Sequence, residues 1–213
     1  MSKKKHYRAV VVGVSMGGVE ALTVLLGGLP KDFPLPLLIV HHISADAVSD
    51  LASMLNSHCA IRVKEADAEE TIAPGTAYLA PPNYHLLVER DGTVALSVDV
   101  PVNFARPSID VLFESAADAF GPGVIGVILT GAGSDGAKGL SMLKDKRGLA
   151  VIQDPADADA DSMPRSALAA VEADHVLPLK EMARLLCTLA EKEYGKAEEG
   201  CPMVKEQRDD RTR

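Results

Sequence analysis

The chain has 213 residues, of which 47% are hydrophobic and 24% are charged, as is typical of one globular domain with a substantial core. Its formal net charge of −8 argues against nucleic acid as the main partner, because a phosphate backbone is bound by clustered Lys and Arg. The three cysteines have no metal-ligand spacing, and no long apolar segment follows the basic N-terminus. These features predict a reduced, cytoplasmic protein that does not insert into a membrane.

A glycine-rich turn follows the first predicted strand. The apolar run 9–12 leads into Gly13 to Gly18, which reads Gly-x-Ser-x-Gly-Gly with Ser15 at its centre, and then into a helix over 19–29. A strand-to-helix turn of this kind exposes a serine hydroxyl beside helix N-terminal amides, as a nucleophile requires. A dinucleotide-binding fold uses a similar turn to hold pyrophosphate. The turn alone is compatible with both.

The remaining segments alternate between buried strands and amphipathic helices. Further strands are predicted over 35–40, 61–66, 124–130, 148–154 and 175–177, and helices over 46–56, 166–171 and 179–194, with others opening near Pro107 and at Gly136. Asp91-Gly92 predicts a hairpin, expected as an antiparallel addition at one edge of the sheet. The pattern predicts a doubly wound α/β domain over 8–194, with a mostly parallel sheet, helices on both faces and a polar, disordered tail over 195–213.

Three strand ends carry different polar groups: Ser15, the pair His41-His42, and Asp135 in a second glycine-rich loop. The carboxyl ends of parallel strands meet at one edge of a sheet, so these groups are expected to lie together. A serine becomes nucleophilic when a histidine takes its proton, and a carboxylate orients that histidine. A dinucleotide fold would instead place an acidic residue at the second strand end, so a hydrolase is favoured.

Each of these groups also has a purely structural interpretation. Ser15 can form only a tight turn, and at most one of the two histidines can face the site because alternate strand residues point to opposite faces. Asp135 can be the N-cap of the helix that starts at Gly136, and His85 can be a surface residue near the hairpin. The acidic loop 154–161 lacks the glycine and glutamate of a calcium loop and is expected to be solvated.

Six segments resemble, in order, the catalytic domain of the CheB-type protein-glutamate methylesterases of bacterial chemotaxis. They are GVSMGG, IVHHI, APPNYHLLV, ARPSIDVLF, VILTGAGSDGAKG and IQDP…MPRSAL, and they span about residues 8 to 190. The resemblance implies that Ser15 is the nucleophile, that His42 rather than His41 is the base, and that Asp135 is the orienting carboxylate. It implies hydrolysis of glutamate methyl esters on a chemoreceptor or similar signalling protein, with possible deamidation of receptor glutamines, and no metal or organic cofactor.

The chain departs from the family pattern at three positions, where Met16, His41 and Ala132 replace the usual Thr, Gln and Met. The backbone amides of Met16 and Ala132 are the candidate oxyanion donors, and His85 is a candidate substrate residue. These departures leave open a serine esterase or amidase with another substrate; a non-catalytic receptor-binding signalling module is the alternative from another class. The family usually carries an N-terminal receiver domain, whereas the matching segment here begins close to Met1, so a stand-alone member and a fragment are both possible.

Overall fold

The computed structural model describes residues 6–42 and 50–194. Over these residues the strands are β1 (Ala9–Val14), β2 (Leu37–His41), β3 (Arg62–Glu65), β4 (Thr76–Leu79), β5 (His85–Val88), β6 (Val94–Ser97), β7 (Val124–Ile128), β8 (Leu149–Gln153) and β9 (His175–Leu177). Seven of them form one sheet in the order β3-β4-β2-β1-β7-β8-β9, and all its pairings are parallel. The other two, β5 and β6, form a separate antiparallel hairpin.

Helices cover both faces of the large sheet. They are α1 (Gly18–Gly27), α2 (Leu51–His58), α3 (Ile109–Phe120), α4 (Ala137–Asp145), α5 (Ser162–Ala170) and α6 (Leu179–Tyr194). Alternate residues of β1 enter two separate apolar clusters: Val10 packs with residues of α1, α2 and α6, and Val11 packs with residues of α3, α4 and α5. Strands buried on both faces read as continuous apolar runs, which is why the sequence identified them. The predicted doubly wound α/β class is confirmed.

The predicted hairpin forms, but its predicted position at the edge of the sheet is wrong. β5 and β6 pair in a register that runs from His85↔Ser97 to Val88↔Val94, whereas the large sheet ends at β3 and β9 in the described part of the chain. Leu86 and Val88 are buried in the cluster that contains α3. The hairpin therefore packs its apolar face on the helix layer, where that face is shielded from water.

The structure also shifts some helix boundaries. Helix α5 begins at Ser162 rather than at the predicted Ser166, because Pro164 fits the first helical turn, where its missing N–H removes no internal bond. The predicted helix 46–56 overlaps α2, but its first residues lie outside the described part of the chain, as does the predicted tail 195–213. None of the described helices is long and apolar enough to cross a membrane.

The polar groups identified in the sequence gather where the strand order reverses, beside β1. Strand β2 lies on one side of β1 and β7 on the other. The His42 N–H donates to Val14 O at 3.0 Å, and the Ser15 N–H donates to Thr130 O at 3.0 Å. The residues that follow these three strands are therefore hydrogen-bonded neighbours at a position where open α/β sheets bind ligands.

Candidate active site

Ser15 lies directly after β1, in the turn that leads into α1. Its carbonyl accepts the Gly18 N–H at 2.9 Å, and Gly17 adopts φ 76° as the N-cap of the helix, a conformation that is unstrained for glycine. The loop after β7 approaches closely on the other side: a Cβ on Gly131 would lie 2.9 Å from the Ser15 Cβ. The turn thus holds Ser15 between the N-terminus of α1 and the Gly131 loop.

His42 and Asp135 form a direct contact. His42 Nε2 lies 2.8 Å from Asp135 Oδ2, with the histidine side chain 20% exposed and the carboxylate 5% exposed. Because Nε2 faces the carboxylate, Nδ1 is the ring nitrogen that can accept a proton from a nucleophile. The described residues include no hydrogen bond between Ser15 Oγ and His42, a contact that commonly tightens only when substrate binds.

Asp135 occupies the N-terminus of α3 rather than that of the helix that follows it. Its Oδ2 accepts the Ile109 N–H at 2.7 Å, and its Oδ1 accepts the Ser108 hydroxyl at 3.0 Å and the Asp110 N–H at 3.2 Å. Helix α4 has Gly136 as its N-cap, without a side-chain hydrogen bond. The carboxylate therefore binds the otherwise unpaired amides of a neighbouring helix while it contacts the histidine.

Asp110 makes the reciprocal contact at the N-terminus of α4. Its Oδ1 accepts the Gly136 N–H at 3.0 Å and the Gly139 N–H at 2.7 Å. Asn103 Nδ2 joins the two carboxylates, donating to Asp110 Oδ2 at 2.8 Å and to Asp135 Oδ1 at 3.0 Å. An aspartate is expected in the first turn of its own helix, so nothing in the sequence indicated that Asp110 also caps α4. Asn103 was missed as well, because no glycine or proline beside it indicates a turn.

The pKa values of Asp135 and Asp110 shift in opposite directions. Burial alone would raise the pKa of Asp135, but hydrogen bonds from His42, Ile109 and Asn103 lower it to about 2. Burial raises the pKa of Asp110, and the nearby negative charge of Asp135 adds to that effect. Asp135 is therefore a stable anion at neutral pH, as the partner of an imidazolium must be.

His42 and Asp135 line a cleft of about 730 Å³, together with Ala132 and residues 103–107. Met16 is 62% exposed and Ala132 is also exposed. The backbone N–H groups of these two residues make no hydrogen bond to another described residue. Both amides are therefore available as donors to an oxyanion.

Comparison with known proteins identifies the family. Residues 10–186 match the family model described as CheB methylesterase. The chain belongs to the CheB methylesterase family. The resemblance found in the sequence is confirmed, and with it the enzyme class, a carboxylic-ester hydrolase.

Individual CheB relatives agree with this assignment. A Leptospira interrogans protein, provisionally named protein-glutamate methylesterase/protein-glutamine glutaminase, is 49% identical over 184 residues, which are 86% of this chain and 95% of that protein. Protein-glutamate methylesterase/protein-glutamine glutaminase 3 of Burkholderia lata is 44% identical over 180 residues, covering 83% of this chain but 49% of that protein. The crystal structure of the Thermotoga maritima CheB methylesterase catalytic domain superposes with a TM-score of 0.81 at 34% identity, covering 84% of this chain and 97% of that one.

His85 of this CheB family member is buried, so the alternative interpretation of it as a surface residue near the hairpin is wrong. The hairpin packs on α3 and leaves the side chain 1% exposed. His85 Nδ1 accepts the Ser108 N–H at 3.2 Å, so Nε2 carries the proton and donates to Val100 O at 3.2 Å. Its role towards substrate stays a prediction, and its burial favours an indirect role through Ser108.

Two buried polar residues that sequence reasoning missed hold the turn that carries Ser15 in this CheB domain. Thr130 Oγ1 donates to Met16 O at 2.9 Å and accepts the Ala160 N–H at 2.9 Å. Gln153 Oε1 accepts the Thr130 N–H at 2.8 Å. The available signal was weak, because each is a single polar residue at the end of an apolar strand. Their contacts position the backbone on both sides of Ser15.

His41 supports the same turn. A Cβ on Gly18 would come within 2.6 Å of His41 Cδ2, so the ring lies against the start of α1. Burial lowers the pKa of His41, although a hydrogen bond with the Ser15 backbone opposes the effect. Its Nδ1 is buried without a hydrogen-bond partner in the described part of the chain. His41 is therefore a neutral packing residue, in contrast to His42, which contacts the carboxylate.

Proposed function

We propose that this protein is a protein-glutamate methylesterase that hydrolyses glutamate 5-O-methyl esters on a chemoreceptor or similar signalling protein in the cytoplasm. Ser15, His42 and Asp135 act as its catalytic triad. The observation that carries the proposal is the 2.8 Å contact between His42 Nε2 and Asp135 Oδ2, made at the strand ends beside Ser15. The names of the Leptospira and Burkholderia relatives support both this reaction and the deamidation of receptor glutamines, in which the same side-chain carbonyl is attacked.

In the first half of the reaction, Ser15 Oγ attacks the ester carbonyl carbon while its proton passes to His42 Nδ1. Asp135 holds the Nε2–H and stabilises the imidazolium that forms. The negative charge that develops on the carbonyl oxygen is bound by the N–H groups of Met16 and Ala132. Donors of this kind are worth roughly 3 to 4 kcal/mol each where they have been measured in other enzymes.

The intermediate then collapses in the usual acyl-transfer sequence. His42 returns the proton to the methoxy oxygen, methanol leaves, and the glutamyl carbonyl stays bonded to Ser15. A water molecule next gives its proton to His42 as it attacks this acyl-enzyme, and the restored serine releases a glutamate carboxylate. With a glutamine substrate, ammonia leaves in place of methanol.

The decisive experiment measures methanol release from a methyl-labelled chemoreceptor and from a small glutamate methyl ester. The wild-type protein is expected to act on both, and Ser15→Ala to lower both rates by about 10⁴-fold or more. Ser134→Ala is the matched control, because Ser134 lines the cleft next to Asp135 but takes no part in the proposed triad. Its activity should be retained, and both variants should unfold at the wild-type midpoint.

Each alternative gives a different result in this assay. Activity of the Ser15→Ala variant would refute the triad. Hydrolysis of the small ester without action on the receptor would favour a serine esterase or amidase with another substrate. Met16 and Ala132, which are exposed and depart from the family pattern, are the reason to test this alternative. Release from neither substrate would favour a non-catalytic signalling module.

A further inference from the structure

A two-residue turn at the cleft has an unfavourable backbone conformation. Val102 and Ala105 exchange backbone hydrogen bonds of 3.1 and 2.9 Å, which leaves Asn103 and Phe104 as the central residues, with φ of 50° and 62°. Positive φ at both central positions is typical of a type I′ turn, in which the second position favours glycine. A bulky residue at that position carries backbone strain that glycine would avoid.

The Phe104 side chain gains no burial in return for this strain. It is 106% exposed, although it lines the same cleft as His42 and Asp135. An exposed phenylalanine is unremarkable by itself, but here it coincides with a strained backbone and with the wall of the catalytic cleft. Strained residues cluster at functional sites, so the ring is expected to act in a contact with another molecule.

The surrounding hydrogen bonds hold this turn in place. Asn103, which immediately precedes Phe104, donates to the Asp135 and Asp110 carboxylates at 3.0 and 2.8 Å. Arg106 donates to Val98 O at 2.7 Å and to Asn83 Oδ1 at 2.7 and 3.0 Å. Phe104 therefore lies on a backbone segment held by hydrogen bonds, directly after Asn103, whose side chain is bonded to Asp135.

We infer that Phe104 is a specificity-determining residue that contacts the polypeptide on which the esterified glutamate is carried. The inference rests on the proposed function. The cleft is much larger than one glutamate methyl ester requires, so there is room for residues that flank the ester, and the apolar ring would pack on their apolar side chains. Binding energy from such remote contacts raises kcat/KM for the protein substrate, and a small ester lacks the groups to supply it.

Replacing Phe104 with glycine separates the two properties of this residue. Phe104→Gly removes the ring and suits the positive φ, so its thermal midpoint should rise above that of the wild-type protein. The ratio of kcat/KM for the methylated chemoreceptor to kcat/KM for a small glutamate methyl ester should fall about tenfold, the loss expected for a well-packed aromatic contact. Phe104→Leu keeps an apolar side chain and should give an intermediate ratio.

Two further variants act as controls. Val176→Ala removes an exposed apolar side chain on β9, away from the cleft, and should leave both substrates and their ratio unchanged. Asn103→Ala should slow both substrates by similar factors, because Asn103 acts through Asp135 rather than through the flanking polypeptide. An unchanged ratio in Phe104→Gly, with the wild type active on the receptor, overturns this inference alone. A wild-type protein inactive on the receptor overturns the proposed function and the inference with it.

Discussion

Replacing Asp135 with asparagine is expected to weaken stability and catalysis together, because one carboxylate serves both His42 and the N-terminus of α3. Asparagine has the same shape but only one acceptor oxygen. In the wild-type protein the Ile109 N–H donates to Asp135 Oδ2 at 2.7 Å. If the single oxygen of the asparagine keeps the bonds from Ser108 and Asp110, its NH₂ group takes the place of Oδ2 and faces the Ile109 N–H. Two donors then face each other in a buried position.

The depressed pKa of Asp135 sets the size of the stability effect. The fall from 3.8 to about 2 corresponds to roughly 2 kcal/mol of unfolding free energy at neutral pH, at about 1.4 kcal/mol per pKa unit. The side chain is only 5% exposed, so solvent screening reduces this value little. An unpaired buried N–H at Ile109 adds about 1 to 3 kcal/mol. Asp135→Asn should therefore lose about 3 to 5 kcal/mol at pH 7.

The pH dependence distinguishes this mechanism from a general loss of packing. A depressed folded-state pKa contributes stability that is present above the unfolded-state pKa and is lost as the pH falls through the folded-state value. The wild-type protein should lose this contribution between about pH 4 and pH 2, and the variant has no carboxyl group there to protonate. In urea unfolding series, the stability difference between the two proteins should shrink by roughly 2 kcal/mol at about pH 2. A difference that does not change with pH would refute the reasoning.

The same variant tests the catalytic role of Asp135. The new amide would donate to His42 Nε2 and so place the ring proton on Nδ1, the nitrogen that accepts the proton of Ser15 in the proposed mechanism. The equivalent change in a serine protease lowers kcat about 10⁴-fold, and a loss of that order is expected in methanol release. A kcat close to that of the wild type would contradict the role of Asp135 as the orienting carboxylate.

Two further predictions concern the groups around Ser15. His42→Ala should lower methanol release by about 10⁴-fold or more, whereas His41→Ala should be far less damaging; equal losses would mean that the base has been misassigned. Thr130→Val removes the hydroxyl that bonds Met16 O and Ala160, and urea unfolding should show a loss of about 1 to 3 kcal/mol. Thr130→Val should also lower kcat more than it raises KM. Thr130→Ser keeps the hydroxyl and should restore both stability and kcat. A wild-type kcat in Thr130→Val would limit Thr130 to a structural role.

Much of the fold was predictable because buried parallel strands leave a simple pattern. The runs at β1, β2, β7 and β8 are apolar on both faces, and their order along the chain gives the parallel sheet. The position of the β5–β6 hairpin was not predictable, because its own sequence does not say which surface will cover Leu86 and Val88. That surface is α3, which comes later in the chain.

The candidate site divides in the same way. The contact between His42 and Asp135 was predictable, since the carboxyl ends of β2 and β7, which flank β1, lie at the same edge of the parallel sheet. The exchange of contacts in which Asp135 caps α3 and Asp110 caps α4 was not predictable. An aspartate in the first turn of a helix already interacts favourably with that helix, so its sequence position gives no reason to expect a bond to another helix. The Asn103-Phe104 turn was also missed, because it lacks the glycine that usually marks a type I′ turn.

Asp135 contacts both His42 and the first amides of α3, and this affects how related sequences should be interpreted. A descendant that lost its esterase activity and kept only a binding role would still need an acceptor for the first amides of α3. Selection for folding alone would then preserve the aspartate after the serine and histidine had drifted. An intact aspartate is therefore poor evidence that a homologue is a working enzyme. In the proposed mechanism, the residues at the positions of Ser15 and His42 are the ones that distinguish an enzyme from a pseudoenzyme in this fold.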